Sequence, residues 1–253
     1  MKNCLLIDLS NSRAKFALAN LNRSQSKLTA RYLPTESLSP SALNELLSDG
    51  KIERAIIASV VPKATQIVEK FFKAAKIPCL FIDASTNLGI KIKYPNPKSI
   101  GADRLANAAA TVILYELPAI VVDFGTAITF DIIDKNRSYL GGIIAPGLST
   151  AANALHQHTA LLPRTIPSPI RRAVGKNTLT AIQSGLLLGA RGLVREVVAR
   201  VTKENFSGQR PTVIATGGDA ALVGRGTDLF DVINPTLTLE GLREIERRRT
   251  VLS

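Results

Sequence analysis

The chain has 253 residues, of which 45% are hydrophobic and 21% charged, and its formal net charge is +12. That length and balance fit a folded chain of one large or two medium domains, and no apolar run approaches the roughly 20 residues of a membrane span. Two cysteines, Cys4 and Cys79, are too few for a disulfide framework or a cysteine metal cluster, and with no Trp and only 5% aromatics there is no stacking platform for nucleic acid.

The apolar opening, Leu5-Leu6-Ile7, stops at Asp8, so the N-terminus does not read as a signal peptide. With so few cysteines, the expectation is cytoplasmic residence. Short apolar runs and alternation predict strands over 3–8, 14–19, 28–33 and 53–59. Helical periodicity covers 39–49 and 64–75, and "CLFID" at 79–83 is a further short strand. A helix is expected from Gly101 to Tyr115, with Leu105, Ala108, Ala109 and Val112 on one face. Pro118 ends that helix and starts the next strand. Strands follow over 119–123, 127–133 and 138–144, then a long helix over 178–203 with Ile182, Leu186, Leu193, Val197 and Val201 on one stripe. A strand over 212–216 and a last helix from Leu239 complete the reading. In "GLREIERRRT" the arginines 243, 247, 248 and 249 read as a solvated helical face, with attraction of an anionic ligand such as a nucleotide as the functional alternative. His156 and His158 stand two apart, which is wrong for one helix face.

One grammar occurs twice. An apolar run ends in an acid and a turn of small residues, then alternation resumes: Asp8 before Ser10-Asn11-Ser12, and Asp123 before Gly125-Thr126. The interval between the two acids is nearly half the chain. Two similar α/β lobes are expected, 1–117 and 118–253. Turns of this kind present backbone N–H groups as a concave anion site. A carboxylate beside them would repel phosphate, and its natural role is to hold a cation or its waters. Two such hairpins lining a cleft suit an ATP phosphate site. Gly217-Gly218, after the strand "VIAT", would let a base or ribose lie on the backbone.

On these residues the chain resembles the type III pantothenate kinases of the actin-like ATPase and sugar kinase superfamily. The family's first phosphate motif, D-x-G-N-T, is matched by Asp8-Leu9-Ser10-Asn11-Ser12. Its substrate motif G-A-D-R is intact as Gly101-Ala102-Asp103-Arg104, with Tyr94 upstream. "VDFGTA" at 122–127 matches the second phosphate motif. "GGIIAPGLSTAANAL", "GKNTLTAIQSG", "ATGGDA" and "LTLEGL" follow in the family's order. The resemblance implies two actin-like (ribonuclease H-like) α/β lobes with ATP in the cleft between them. It implies ATP-dependent phosphorylation of pantothenate to 4′-phosphopantothenate, the first step of coenzyme A biosynthesis. By the same resemblance, Asp8, Leu9, Ser10, Asn11, Ser12, Arg13, Ala14 and Lys15 meet the ATP phosphates, with Thr126 as a further ATP contact. Asp123 is the ligand of a monovalent cation, K⁺ or ammonium, and Mg²⁺ accompanies ATP. Asp103 accepts the proton of the pantothenate hydroxyl, and Tyr94, Gly101, Ala102, Asp103, Arg104 and Thr178 line the pantothenate site. The family forms homodimers, so a homodimer is implied, with no membrane or nucleic-acid partner.

The physics of those positions agrees. Arg104 can offer a guanidinium fork to a carboxylate. Asp103 falls in the first turn of a helix, where the dipole favours its ionised form. Phosphoryl transfer needs positioning and charge neutralisation more than a strong base. The first phosphate motif departs from the family, with Ser10 in place of Gly and Ser12 in place of Thr. If position 10 needs positive φ, serine there costs about 1 kcal/mol, and Ser10→Gly should then improve ATP use. The departure leaves two alternatives: a non-catalytic accessory or regulatory relative, or an actin-like kinase for another small alcohol.

Overall fold

The computed structural model describes residues 3–22, 27–47 and 52–251. The described chain falls into two units. The first comprises Met1–Tyr115, Arg137–Tyr139 and Thr236–Ser253; the second comprises Glu116–Asn136 and Leu140–Pro235. In chain order the elements are β1 (Asn3–Leu9), β2 (Arg13–Asn20), β3 (Arg31–Pro34), α1 (Pro40–Leu47), β4 (Arg54–Ser59), α2 (Pro62–Ala74), β5 (Cys79–Phe81), β6 (Lys91–Ile92) and α3 (Ala102–Leu114). There follow β7 (Ala119–Phe124), β8 (Ala127–Ile133), β9 (Ser138–Pro146), α4 (Leu148–Gln157), α5 (Thr178–Asn205), β10 (Thr212–Gly217), α6 (Ala220–Gly224), β11 (Val232–Ile233) and α7 (Leu237–Val251). The helix expected over 39–49 is α1; residues 48 and 49 lie outside the described residues.

In the first unit the sheet order is β3-β2-β1-β4-β5. β1 runs antiparallel to β2 and parallel to β4. From Cys4 to Leu9 every residue of β1 is buried, as expected of a central strand covered on both faces. Leu5, Ile7 and Leu9 join a core with Leu43, Val68 and Phe72 from α1 and α2. α7 packs against β1, β2 and β4 and lies along α3. The two helices approach so closely that a Cβ on Gly241 would sit 2.0 Å from the Ala106 carbonyl oxygen.

The second sheet has the order β11-β10-β7-β8-β9-β6, of which β6 and the first two residues of β9, Ser138 and Tyr139, are counted with the first unit. β7 runs antiparallel to β8 and parallel to β10. Five strands therefore repeat the order of the first sheet, β9-β8-β7-β10-β11 for β3-β2-β1-β4-β5, which is the internal duplication the two acid turns suggest. β6 is an addition, paired parallel with Ser138 and Tyr139 of β9. Val122, Phe124, Phe130, Leu187, Val194 and Val213 belong to the second core.

Two expectations need correction. On α5 the buried stripe is Ile182, Leu187, Ala190, Val194, Val197 and Val201, with Leu186 and Leu193 only half-buried at its edge. Leu186 and Leu193 each stand one residue, about 100° of helix rotation, before Leu187 and Val194, which puts them at the margin of the stripe. The basic C-terminal stretch is no solvated face. Arg243, Glu244 and Glu246 are buried, and Glu244 pairs with Arg243 and Arg247. Glu246 pairs with Arg249 and, 2.8 Å away, Arg54. Buried carboxylates need such partners to offset desolvation.

Candidate functional site

The β1–β2 hairpin carries Asp8 to Lys15. Its register sets Asp8 directly opposite Lys15. The Lys15 ammonium lies 3.1 Å from Asp8 Oδ2, and the Ser10 hydroxyl donates to Asp8 Oδ1 at 2.9 Å. Asp8 is 1% exposed, so Lys15 is the cation that makes its burial tolerable. Around the turn, the Ser10 N–H donates to the Arg13 carbonyl at 3.2 Å. Thr35, just after β3, donates through its hydroxyl to the Ser10 carbonyl at 2.6 Å and through its N–H to the Ser12 carbonyl at 3.3 Å. Asn11, Ser12 and Arg13 are exposed at the tip, whereas Leu9 and Ala14 are buried. Among the described residues, non-glycine positive φ occurs at Lys76, Arg137 and Ser207. Ser10 therefore keeps an ordinary backbone, and the expected strain at this position is absent.

The substrate motif starts α3. Gly101 is the N-cap residue, and Ala102, Asp103 and Arg104 form the first turn. Asp103 Oδ1 accepts the Arg104 N–H at 2.8 Å. A Cβ on Gly101 would lie 2.5 Å from that oxygen, so glycine makes room for the carboxylate. The Arg104 guanidinium stands over the Tyr139 ring, 5.9 Å from its centroid, within cation–π range. The same Tyr139 ring meets Tyr94 edge to face at 6.4 Å. Tyr94 and Arg104 thus share one aromatic neighbour, and Tyr139 itself is fully buried.

In the second unit, Asp123 is half-buried near the end of β7, opposite Thr129 on β8 and beside Thr216 on β10. The turn after it is closed by the Gly125 N–H donating to the Ala127 carbonyl at 3.0 Å. The Thr126 carbonyl accepts from the Gly147 N–H at 3.0 Å and from the Thr150 hydroxyl at 2.6 Å. Gly217 has φ +90°, and a Cβ there would lie 2.5 Å from both Asp123 Oδ1 and the Phe124 carbonyl oxygen. The two oxygens crowd Gly217 so closely that only glycine fits there, and they are hard donors of the kind an alkali cation takes. Gly217 is thus packed against Asp123 rather than simply offering a flat platform. Thr178 is the exposed first residue of α5, next to Asn177, whose side chain caps the helix by accepting the Thr180 N–H at 2.9 Å. His156 Nδ1 lies 2.9 Å from the Leu162 carbonyl oxygen, a local contact at the end of α4.

Sequence reasoning passed over Thr35, Tyr139, Gly147 and Thr150. Tyr139 sits in an alternating strand and gives no local sign of its neighbours. Gly147 had a sign: it follows Pro146 and precedes a helix, and a Cβ there would lie 2.2 Å from the Gly125 carbonyl oxygen.

A family model described as type III pantothenate kinase matches residues 4–200. The type III pantothenate kinase of Akkermansia muciniphila is 45% identical over 240 residues, covering 94% of this chain and 96% of that one. Among solved structures, a protein described as a Baf family transcriptional activator from Campylobacter jejuni superposes with a TM-score of 0.63 at 22% identity, covering 98% of this chain and 99% of the other. The ethanolamine utilization protein EutJ from Carboxydothermus hydrogenoformans gives 0.55 at 13% identity over 95% and 89%. The two structural likenesses speak to the fold, and the family match to the activity. The chain belongs to the type III pantothenate kinase family, with the actin-like ATPase fold, and is a kinase that phosphorylates pantothenate in coenzyme A biosynthesis.

Proposed function

We propose that Asp103 accepts the proton of the pantothenate primary hydroxyl as that oxygen attacks the γ-phosphate of ATP. The observation that carries this reading is the carboxylate's place in the first turn of α3, steadied by the Arg104 N–H. A helix N-terminus favours its ionised form, and an ionised acid can orient the hydroxyl hydrogen. Arg104 takes the pantothenate carboxylate, and Tyr94, Gly101, Ala102 and Thr178 complete the substrate contacts. Asp8 to Lys15 serve the ATP phosphates. Within that segment Asp8 shapes the turn, because both its oxygens are engaged by Ser10 and Lys15, and the exposed tip with Arg13 meets the anion. Thr126 is the ATP contact of the second turn. Asp123 and the Phe124 carbonyl hold K⁺ or ammonium. Mg²⁺ bound with ATP would neutralise charge on the phosphates and would need few protein ligands to do so.

The reading extends to a homodimer in the cytoplasm. The family resemblance is what supports the dimer; Ile144, Leu161, Ile166 and Val174 of the second unit are between 65% and 91% exposed and are the apolar side chains a partner would be expected to cover. Among the described residues no helix is long and apolar enough to cross a membrane.

Purified protein given ATP, Mg²⁺ and pantothenate should release ADP and 4′-phosphopantothenate in equal amounts, faster in potassium than in sodium buffer. Equal rates in the two buffers would remove the monovalent site at Asp123.

A further inference from the structure

The second unit contains a cavity of about 500 Å³ lined by none of the residues assigned above to ATP, pantothenate or a cation. Its walls include Arg171 before α5, Arg191 on α5 and Arg225 just after α6, with Ile170, Leu187 and Leu222 as apolar surface. No carboxylate lines it. Arg191 is fixed in place: its Nε donates to the Val223 carbonyl at 2.9 Å and one Nη to the Arg225 carbonyl at 2.8 Å. Arg171 and Arg225 lie exposed at the same cavity.

The sequence around it is unusually one-signed. From Lys135 to Arg195 there is no Asp or Glu, while Arg164, Arg171, Arg172, Lys176 and Arg191 all fall in that stretch. Guanidinium groups cannot shed their protons to relieve mutual repulsion. Three of them on one concave wall leave an anion as the natural complement, and their planar forks match the oxygens of a phosphate. The apolar wall would take the body of a small organic phosphate.

We propose that this cavity is a binding site for a phosphomonoester or diphosphate anion, separate from the phosphate turns at Ser10 and Thr126. Arg171 and Arg225 supply the contacts, and Arg191 is the fixed post between α5 and the end of α6.

The test is calorimetric titration of the whole protein with inorganic pyrophosphate and, in a second arm, with 4′-phosphopantothenate. Wild type is compared with Arg171→Gln/Arg225→Gln and with Arg171→Lys/Arg225→Lys. Both positions are exposed, so the fold and the kinase rate without added anion should be retained. Wild type should show one more binding event than the glutamine variant, and the lysine variant should keep it with weaker affinity. A preference for pyrophosphate would mark the bare anion as ligand, and a preference for 4′-phosphopantothenate would mark an organic phosphate that uses the apolar wall. The same isotherm in wild type and the glutamine variant, or no binding beyond the active site in wild type, would overturn the proposal.

Discussion

The two acid turns occupy equivalent places in duplicated sheets, yet they hold their carboxylates in different ways. In the first unit the acid faces a lysine across the hairpin: Asp8 opposes Lys15, and its burial is balanced by that cation and by the Ser10 hydroxyl. In the second the acid faces a threonine: Asp123 opposes Thr129, stays half-buried, and has Gly217 pressed against it from β10. One turn is fixed by side-chain charge, the other by the absence of a side chain. The duplication therefore preserves the topology but not the residues set against the acid. A neutralised Asp8 shapes its loop, whereas Asp123 presents oxygen beside the Phe124 carbonyl.

Substitutions that remove each support should separate the two. The largest effect is expected from Gly217→Ala, which sets a Cβ against two oxygens at a residue with φ +90°. Strain and overpacking together should cost about 2–4 kcal/mol, read by urea denaturation, and the difference between potassium and sodium rates should vanish. Unchanged stability would mean that β7 and β10 are not in such close contact. Asp8→Asn should follow. It removes the Asp8–Lys15 ion pair, in which the lysine side chain is 14% exposed. The loss should be on the order of 2 kcal/mol, below the range for fully buried pairs because of that residual exposure. Adding Lys15→Met should recover part of it, and strictly additive losses would show that the pair is not coupled. Ser10→Gly should be mildest. It removes one hydroxyl–carboxylate hydrogen bond, worth about 1 kcal/mol, and relieves no strain because Ser10 does not have positive φ. An ATP titration should give an unchanged or raised KM. A lowered KM would show that the serine obstructs phosphate and restore the expectation drawn from the motif alone.

Much of this was legible beforehand because it rests on local patterns. The strands at both acid turns, α3 with its Leu105–Val112 face and the long α5 all follow from periodicity and breakers. Candidate site residues could be picked out because motif spacing is a property of the chain itself. What escaped depends on tertiary partners. Lys15 was visible as part of a segment, but its pairing with Asp8 needs the hairpin register. The two-residue β6 is too short for any periodicity, and its strand identity comes from pairing with β9. The arginines of α7 read as exposed because charge patterns do not reveal that Glu244 and Glu246 are buried with them, nor that this last helix returns to pack on α3. Ser10 looked costly through comparison with a glycine motif, whereas the hairpin accommodates it with an ordinary φ and a useful hydroxyl.

Asp103 is the residue on which the proposed chemistry turns. Asp103→Asn keeps the size of the side chain and an oxygen for the Arg104 N–H but removes the proposed base. Steady-state assays with ATP and pantothenate should show kcat lowered roughly 10²–10⁴-fold, with the pantothenate KM within a few-fold of wild type and the same denaturation midpoint. A variant that turns over at close to the wild-type rate would contradict the mechanism.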